Sequence, residues 1–512
     1  MRIVWVIVLL AGTAWGQQRI YLANDDHTDY FWVGTDADYR RVLPEMLDYY
    51  MAQAERTADR PPHQRGRFNC DGSFWLYEFE RNRPPEAFER LIGHVRAGNI
   101  SVPYQSLVLL PGAMPTEAVL RDMYYAGRLE RRFGLDLDLA VMMENATLPG
   151  GIASLWAGSG ARFSWKGVCG CVSQVGLPRL QSRPREIYHF AGPDGASVLM
   201  KWNSLDFWAS LGGYAEARDP AAAVAYMTGG DADYAAAWPW PVKAAFGYGF
   251  DDLSSMTDAI VDAARDLSND ERRVIVSNEV DFFEDFAANH GDEIPTFAKS
   301  LGNEWDLHPA SLGELTAGMR RAMERLRAAE AMATVALLAD PTSVEARDAA
   351  RDEAFVRIGL YYEHNWVANG PVPRDLRQQF QRDTLAVVRD YVEGLHTGAR
   401  AALGRLVTAN GAANRHVVFN PLSWTRTDVV DLGPAPGPAH AVDVPPVGRC
   451  AVRSSLAGYK RSPKTCPPSG TAWSRSAQDP GRTSRPPPRS RAPRWRASAT
   501  GSPWRATAPS PR

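Results

Sequence analysis

The chain has 512 residues, of which 45% are hydrophobic and 23% charged, with a formal net charge of −2. That composition excludes a wholly disordered or fibrous chain and leaves apolar material for the cores of about two to four domains. Five cysteines, at 70, 169, 171, 450 and 466, are too few and too odd in number for a disulfide framework.

Residues 1–16, MRIVWVIVLLAGTAWG, read as a signal peptide: one basic residue, a short apolar run, then Ala14 and Gly16 before a cleavage at Gln17. A retained anchor is disfavoured, because a membrane span needs about 20 apolar residues. No later stretch is apolar enough to span. The expectation is an exported soluble protein, periplasmic or extracellular.

The next stretch, RIYLANDDHTDYFW, runs from an apolar strand, Ile20–Ala23, straight into Asp25, Asp26, His27 and Asp29. Groups crowded in this way repel or desolvate one another unless compensated, and a metal ion is the usual compensation. An ordinary Asp-rich turn is the plainer alternative, since Asp hydrogen-bonds its own backbone.

From Arg19 to about Leu301, strand-like runs alternate with helical patterns. The strands are Ile20–Ala23, Ile100–Val102, Leu137–Met143, Ala161–Ser164, Val198–Lys201, Val242–Phe246 and Arg273–Ser277; the helices include Tyr39–Arg56, Ala87–Ala97 and Glu117–Phe133. This alternation argues for a parallel sheet or barrel, with the chemistry just past the C-terminal strand ends. Two acids stand there: Glu144, followed by Asn145, after Leu137–Met143, and Asp251, with Asp252, after Val242–Phe246. Paired carboxylates beside aromatic residues suit glycoside cleavage. Trp32, Trp75 and Tyr77 are the candidates to stack on sugar rings, with core packing as the equal alternative. Cys169-Gly170-Cys171 is too tight for half a zinc ribbon and reads as loop thiols.

Residues 311–409 change to helical periodicity. Leu312, Leu315, Met319, Met323 and Leu326 form one stripe, Leu376, Phe380, Tyr391 and Leu395 another, and a middle helix lies between Val344 and Tyr362. Such stripes face a core, so three helices are expected. Their second connection, Glu363-His364-Asn365-Trp366, is unusually polar and aromatic, although a single His in such a loop is ordinarily surface. His416–Trp424 and Val429–Leu432 then open a β domain. After about Pro445 the alternation stops. Residues 449–512 hold twelve Arg and two Lys against one Asp, a net +13, which leaves −15 on the rest. Rich in Pro and Ser, this tail cannot bury a core and is expected to be disordered. A nucleic-acid role fits poorly with an acidic exported body. Translation of a GC-rich message out of frame explains the composition better, and would truncate the β domain.

The order H-x-D after the first strand, an acid after a middle strand, G-x-D after a later one and a His among the helices resembles glycoside hydrolase family 38, the retaining α-mannosidases. The likeness covers residues 19 to about 432 and suggests a divergent bacterial-type member with a truncated C-terminal β domain. It implies an α/β fold: a (β/α)7-type barrel over 17–308, a three-helix bundle over 309–412 and the start of a β-sandwich over 413–448, before the tail 449–512. It also implies one divalent ion, usually zinc, held by His27, Asp29, Glu144 and His364. Glu144 falls on the nucleophile position, sixteen residues before Gly160. Asp251 falls on the general acid/base position, with Asp252 as its rival. Trp32, Trp75, Tyr77, Asn145 and Asn365 are the substrate-binding candidates.

Two departures stand out. The nucleophile position holds Glu instead of Asp, and Asn365 stands where the family has Asp. The extra methylene moves a carboxylate by about 1.5 Å, and a misplacement of about 1 Å can cost roughly a hundredfold in rate. The expected activity is cleavage of terminal α-mannosyl or related α-glycosyl residues through a covalent glycosyl-enzyme. The rivals are a non-catalytic carbohydrate-binding relative and a metal-dependent polysaccharide deacetylase.

Overall fold

Ile20-Tyr21-Leu22-Ala23 is apolar at four successive positions, the pattern of a strand covered on both faces. It forms most of β1 (Gln18–Ala23), which lies between β9 (Val242–Phe246) and β11 (Arg272–Ser277), parallel to both. Ile20 and Leu22 are fully buried, packed with Phe246, Val274 and Phe282. Because the three strands run the same way, their ends deliver Asn24, Gly247 and Asn278 to one edge. The computed structural model of the chain describes residues 17–144, 147–167, 185–202, 215–250, 253, 255–302, 304–366, 370–407, 415–430, 440–444 and 448–453.

Shorter strands extend that edge. β2 (Asp26–His27) pairs with β10 (Gly249–Phe250), and β3 (Phe68–Asn69) with β4 (Ile100–Ser101). A bridge from Asp25 to Asn69 joins the two sets. A five-stranded sheet runs β12-β7-β8-β6-β5, from β5 (Leu139–Val141), β6 (Phe163–Lys166), β7 (Ile187–Ala191), β8 (Ser197–Trp202) and β12 (Thr296–Phe297). Gln105 ties the β4 side to β5 through both of its amide atoms, which meet the Val141 backbone. The chain is thus mixed α/β with parallel sheets; among the described residues the ladders form separate sheets, not one unbroken ring.

β7 and β8 form an antiparallel hairpin, which simple strand–helix alternation does not anticipate. Its turn, Ala191-Gly192-Pro193-Asp194-Gly195, has the chemistry for it, with Gly195 at φ +85°. The single helix expected over Glu117–Phe133 is two, Thr116–Asp122 and Tyr124–Phe133. The break falls where the buried Asp122 turns inward to accept hydrogen bonds from Ser106.

Three long helices follow, Gly313–Ala339, Asp348–Tyr361 and Arg374–Val407. Met319, Met323, Leu326, Ile358, Tyr361, Val388 and Tyr391 share one buried cluster. Leu376 does not join it and is exposed. It lies nine residues before Leu385, about two and a half turns, and therefore on the opposite face. No described helix is long and apolar enough to cross a membrane.

The C-terminal strands are β13 (Arg415–Asn420), β14 (Arg426–Val430), β15 (His440–Val444) and β16 (Gly448–Arg453), paired antiparallel as β13–β16 and β14–β15. The boundary of the expected tail at 449 is therefore corrected. Residues 449–453 form most of a strand, because ladder hydrogen bonds come from backbone groups that a composition argument does not see. The chain divides into two units, Met1–Gly458 and Tyr459–Arg512, and every described residue belongs to the first.

Candidate metal centre

At the edge where the parallel strands end, four side chains converge. His27, Asp29, Glu144 and His364 each offer one ligand atom, and these atoms all lie within 4.8 Å of one another. His27 and His364 are fully buried and the two acids nearly so. His27 Nε2 lies 3.3 Å from Glu144 Oε2 and 3.6 Å from Asp29 Oδ1. His364 Nε2 lies 3.0 Å from the same Asp29 oxygen and also touches Glu144 Oε2. The two imidazole rings stand 5.0 Å apart.

Each side chain is placed by its local backbone. His27 is held by β2 pairing to Gly249-Phe250, where only glycine fits: a Cβ on Gly249 would come within 2.1 Å of Asp26 Oδ1. His364 follows the second long helix, its N–H donating to the Val108 carbonyl, and Trp305 stacks on its ring. The described non-glycine residues with positive φ are Phe31 (69°), Glu144 (61°), Glu279 (60°) and Trp366 (29°). One is a candidate ligand, and Phe31 and Trp366 each lie two residues beyond another. Backbone strain of this kind costs about 1–3 kcal/mol per residue and persists only where the surroundings enforce it.

The electrostatics favour positive charge at this group. Burial alone would lower both imidazole pKa values, yet both are raised: Asp29, Glu144 and Asp71 outweigh burial at His27, and Glu363, Glu144 and Asp29 outweigh it at His364. Burial would raise the Asp29 pKa, but the two histidines hold it far below the usual carboxylate range. Further buried acids surround the group. Asp71 lies 3.8 Å from His27 Nδ1 and accepts the Thr28 N–H at 2.8 Å. Glu363 lies 2.6 Å from His364 Nδ1, and burial pushes its carboxyl up to about 7 despite that contact. Burial also pushes Glu279 up to about 8, helped by the charge of Asp71. Asp29 Oδ2 is buried and has no hydrogen-bond partner among the described residues. Two imidazoles and two carboxylates, one with an oxygen still unsatisfied, fit a divalent ion of the zinc type. Asp71 and Glu363 stand where carboxylates orient ligand histidines from behind.

The other expected site residues fare differently. Trp75 is fully buried, its Nε1–H donating to Thr28 Oγ1 at 3.2 Å. Tyr77 is also core, and its hydroxyl donates to Glu353 at 2.6 Å. Both are corrected from sugar-stacking to packing residues, because the helix Phe74–Asn82 buries Phe74 through Phe79 on every side. Trp32 remains partly exposed and lies against Gly370, where a Cβ would approach its ring to 2.3 Å. Asn365 is buried; its amide donates to the Tyr30 carbonyl and its backbone N–H to Glu363. Asn145, Asp251, Asp252, Cys169 and Cys171 lie outside the described residues. The residue before Asp251, Phe250, is paired with His27 along the backbone.

Asp71, Glu279 and Glu363 were not singled out from the sequence. The rule that picked Glu144 would have found the first two, since Asp71 follows β3 and Glu279 follows β11. Glu363 precedes the candidate ligand His364 and carries no such signal.

No family model and no curated protein matches the chain. Solved structures do. An alpha-mannosidase from Enterococcus faecalis V583 superposes with a TM-score of 0.62 at 17% identity, covering 81% of this chain and 46% of that one. A protein in the glycosyl hydrolase family 38 from Enterococcus faecalis gives 0.54 at 17% identity, over 81% and 44%. The chain is thus similar in fold to family 38 proteins, and spans less than half the length of these two.

Proposed function

We propose that the chain is an exported, metal-dependent retaining glycoside hydrolase acting on terminal α-mannosyl or related α-glycosyl residues. We read its architecture as a (β/α)7-type barrel over 17–308, a three-helix bundle over 309–412 and a β domain beginning at 413, after a signal peptide over 1–16. The observation that carries the reading is the convergence of His27, Asp29, Glu144 and His364 from two strand ends and a helical loop. These four would hold one divalent ion, zinc being compatible. When bound, it supplies a template and Lewis acid for sugar hydroxyls.

The chain's own residues supply the rest. Glu144 attacks C1 of the sugar, forming a C1–O bond as the bond to the leaving oxygen breaks, while Asp251 protonates that oxygen. Asp251 then takes a proton from water, the water oxygen bonds C1, and Glu144 is released. Contacts with His27 and His364 hold Glu144 in place, and Trp32, partly exposed, is the aromatic candidate left for a sugar ring.

A second reading, a sugar-binding protein without turnover, is favoured by one observation. Glu144 Oε2 touches both His27 and His364, so its carboxylate could serve as ligand alone. Metal analysis of the purified chain, with hydrolysis of aryl α-mannosides, separates the two. Turnover abolished by Glu144→Gln, with the ion retained, supports the hydrolase. Mannoside binding without turnover in the unaltered chain supports the binder, and release of acetate from acetylated glycan would overturn both.

A further inference from the structure

The first and third long helices, which flank the His364 loop in sequence, border a groove of about 700 Å3 that shares no lining residue with the four candidate ligands. Arg320, Arg321, Arg325 and Arg389 line it, with His396 beside them. Two acids also face it, and both are already matched: Glu393 pairs with Arg325, and Glu324 with Arg327. Arg320 reaches the Ala113 carbonyl at 3.4 Å. Arg321 and Arg389 have no acidic partner among the described residues and are exposed. Gly318 forms part of the wall, where a Cβ would lie 3.0 Å from Leu385 and 3.5 Å from the Arg389 guanidinium. The missing side chain lets the helices approach and leaves Arg389 lying over the groove. Burial lowers the His396 pKa, and the charges of Arg325 and Arg400 push it the same way, which marks the local field as positive.

We infer that this groove binds a glycan segment bearing oxyanions, a sulfated or carboxylated oligosaccharide, through Arg321 and Arg389. The guanidinium is a planar fork that matches sulfate and carboxylate oxygens two at a time. The volume argues for more than a bare ion, since cavities of about 300–1,000 Å3 suit ligands of several rings. The chain's own tail is a poor occupant, because residues 449–512 carry a net +13. A nucleic acid is disfavoured by the net −15 on the rest of the chain. The oxyanion part of the assignment stands on the groove; the sugar part rests on the glycosidase reading above.

The test is equilibrium binding to the full chain at low ionic strength. The probes are a carrageenan oligosaccharide (sulfated), an oligogalacturonate (carboxylated), a neutral mannan oligosaccharide, inorganic sulfate and a single-stranded oligonucleotide. The double variant Arg321→Ala/Arg389→Ala should weaken one of the first two probes by tenfold or more, because hydrogen bonds to charged groups are worth that much each. It should leave the thermal midpoint and neutral mannan binding unchanged. His27→Ala should leave anionic binding intact, so that failure of mannoside turnover in the unaltered chain would count against the hydrolase and not against the groove. Equal affinity of both anionic oligosaccharides for the unaltered chain and the double variant would overturn the proposal. So would tighter binding of the oligonucleotide through the same arginines, or of inorganic sulfate alone.

Discussion

Two buried charge clusters lie a short way apart in the strand region and are settled in opposite ways. Lys201 and Glu216 are fully buried and lie 2.6 Å apart. Lys201 also donates to the Trp202 carbonyl and faces the rings of Trp165 at 4.6 Å and Phe246 at 4.9 Å. Glu216 accepts the Phe246 N–H as well, tying the two sheets together. The candidate metal centre gathers more acids. Asp29 and Glu144 face the two imidazoles, Asp71 and Glu363 stand behind them, and Asp29 Oδ2 has no hydrogen-bond partner among the described residues. The first cluster is a buried ion pair, while the second gathers four side chains that could hold a metal ion.

Removing ligands should break the second cluster most severely. His27→Ala and His364→Ala proteins should each lose the divalent ion and at least about a thousandfold in mannoside turnover, corresponding to about 4 kcal/mol. Elemental analysis beside a kinetic assay checks this. Stoichiometric ion in both variants would show that the cluster is not a metal site.

The first cluster should fail differently. Lys201→Met removes the cation that Glu216 meets at 2.6 Å, and breaking a buried pair costs about 3–5 kcal/mol. Chemical denaturation should show that loss of stability, while the ion content of the folded fraction stays unchanged. A Lys201→Met/Glu216→Leu protein should recover most of the loss, because the uncompensated charge is gone. If the single variant were as stable as the unaltered chain, the pair could not be a structural tie.

The same contrast explains what was legible in the sequence. Val242–Phe246 was read to the residue, because its apolar positions Val242, Ala244, Ala245 and Phe246 lie between Pro241 and Gly247, which punctuate the chain. His27, Asp29, Glu144 and His364 were named together because the resemblance to family 38 implies ligands at those positions, and the structure brings them together. Asp71 and Glu279 were missed although they too follow strands, since β3 is only two residues long and β11 was read only as a strand. Trp75 and Tyr77 looked like sugar platforms because aromatic composition does not reveal a helix buried on every face. Leu376 was misassigned through helical phase, a geometric error that the nearby Leu385, Val388 and Val392 would have corrected.

Asp122 shows a third way of keeping an acid inside, and gives the smallest expected effect. It has neither a cation nor an exposed edge. It accepts the Ser106 N–H at 3.1 Å and also bonds the Ser106 hydroxyl, in a space so tight that Gly359 could not carry a Cβ. Burial pushes its carboxyl up to about 7, from 3.8, against the pull of both Ser106 contacts. The folded chain therefore holds a proton between about pH 4 and 7 that the unfolded chain has released. Stability must fall as pH rises through that window and level off above it. A gap of about three pH units is worth at most about 4 kcal/mol, and relaxation around the buried group should reduce this to about 1–2 kcal/mol. Asp122→Asn keeps the shape, with an oxygen for the Ser106 N–H and an amide for its hydroxyl, and has no proton to lose. The unfolding midpoint of the variant relative to the unaltered chain should rise from pH 5 to pH 8. A variant that is less stable at pH 8 than at pH 5 by the same margin as the unaltered chain would show that the slope belongs to other groups, and that Asp122 is ionised inside the fold.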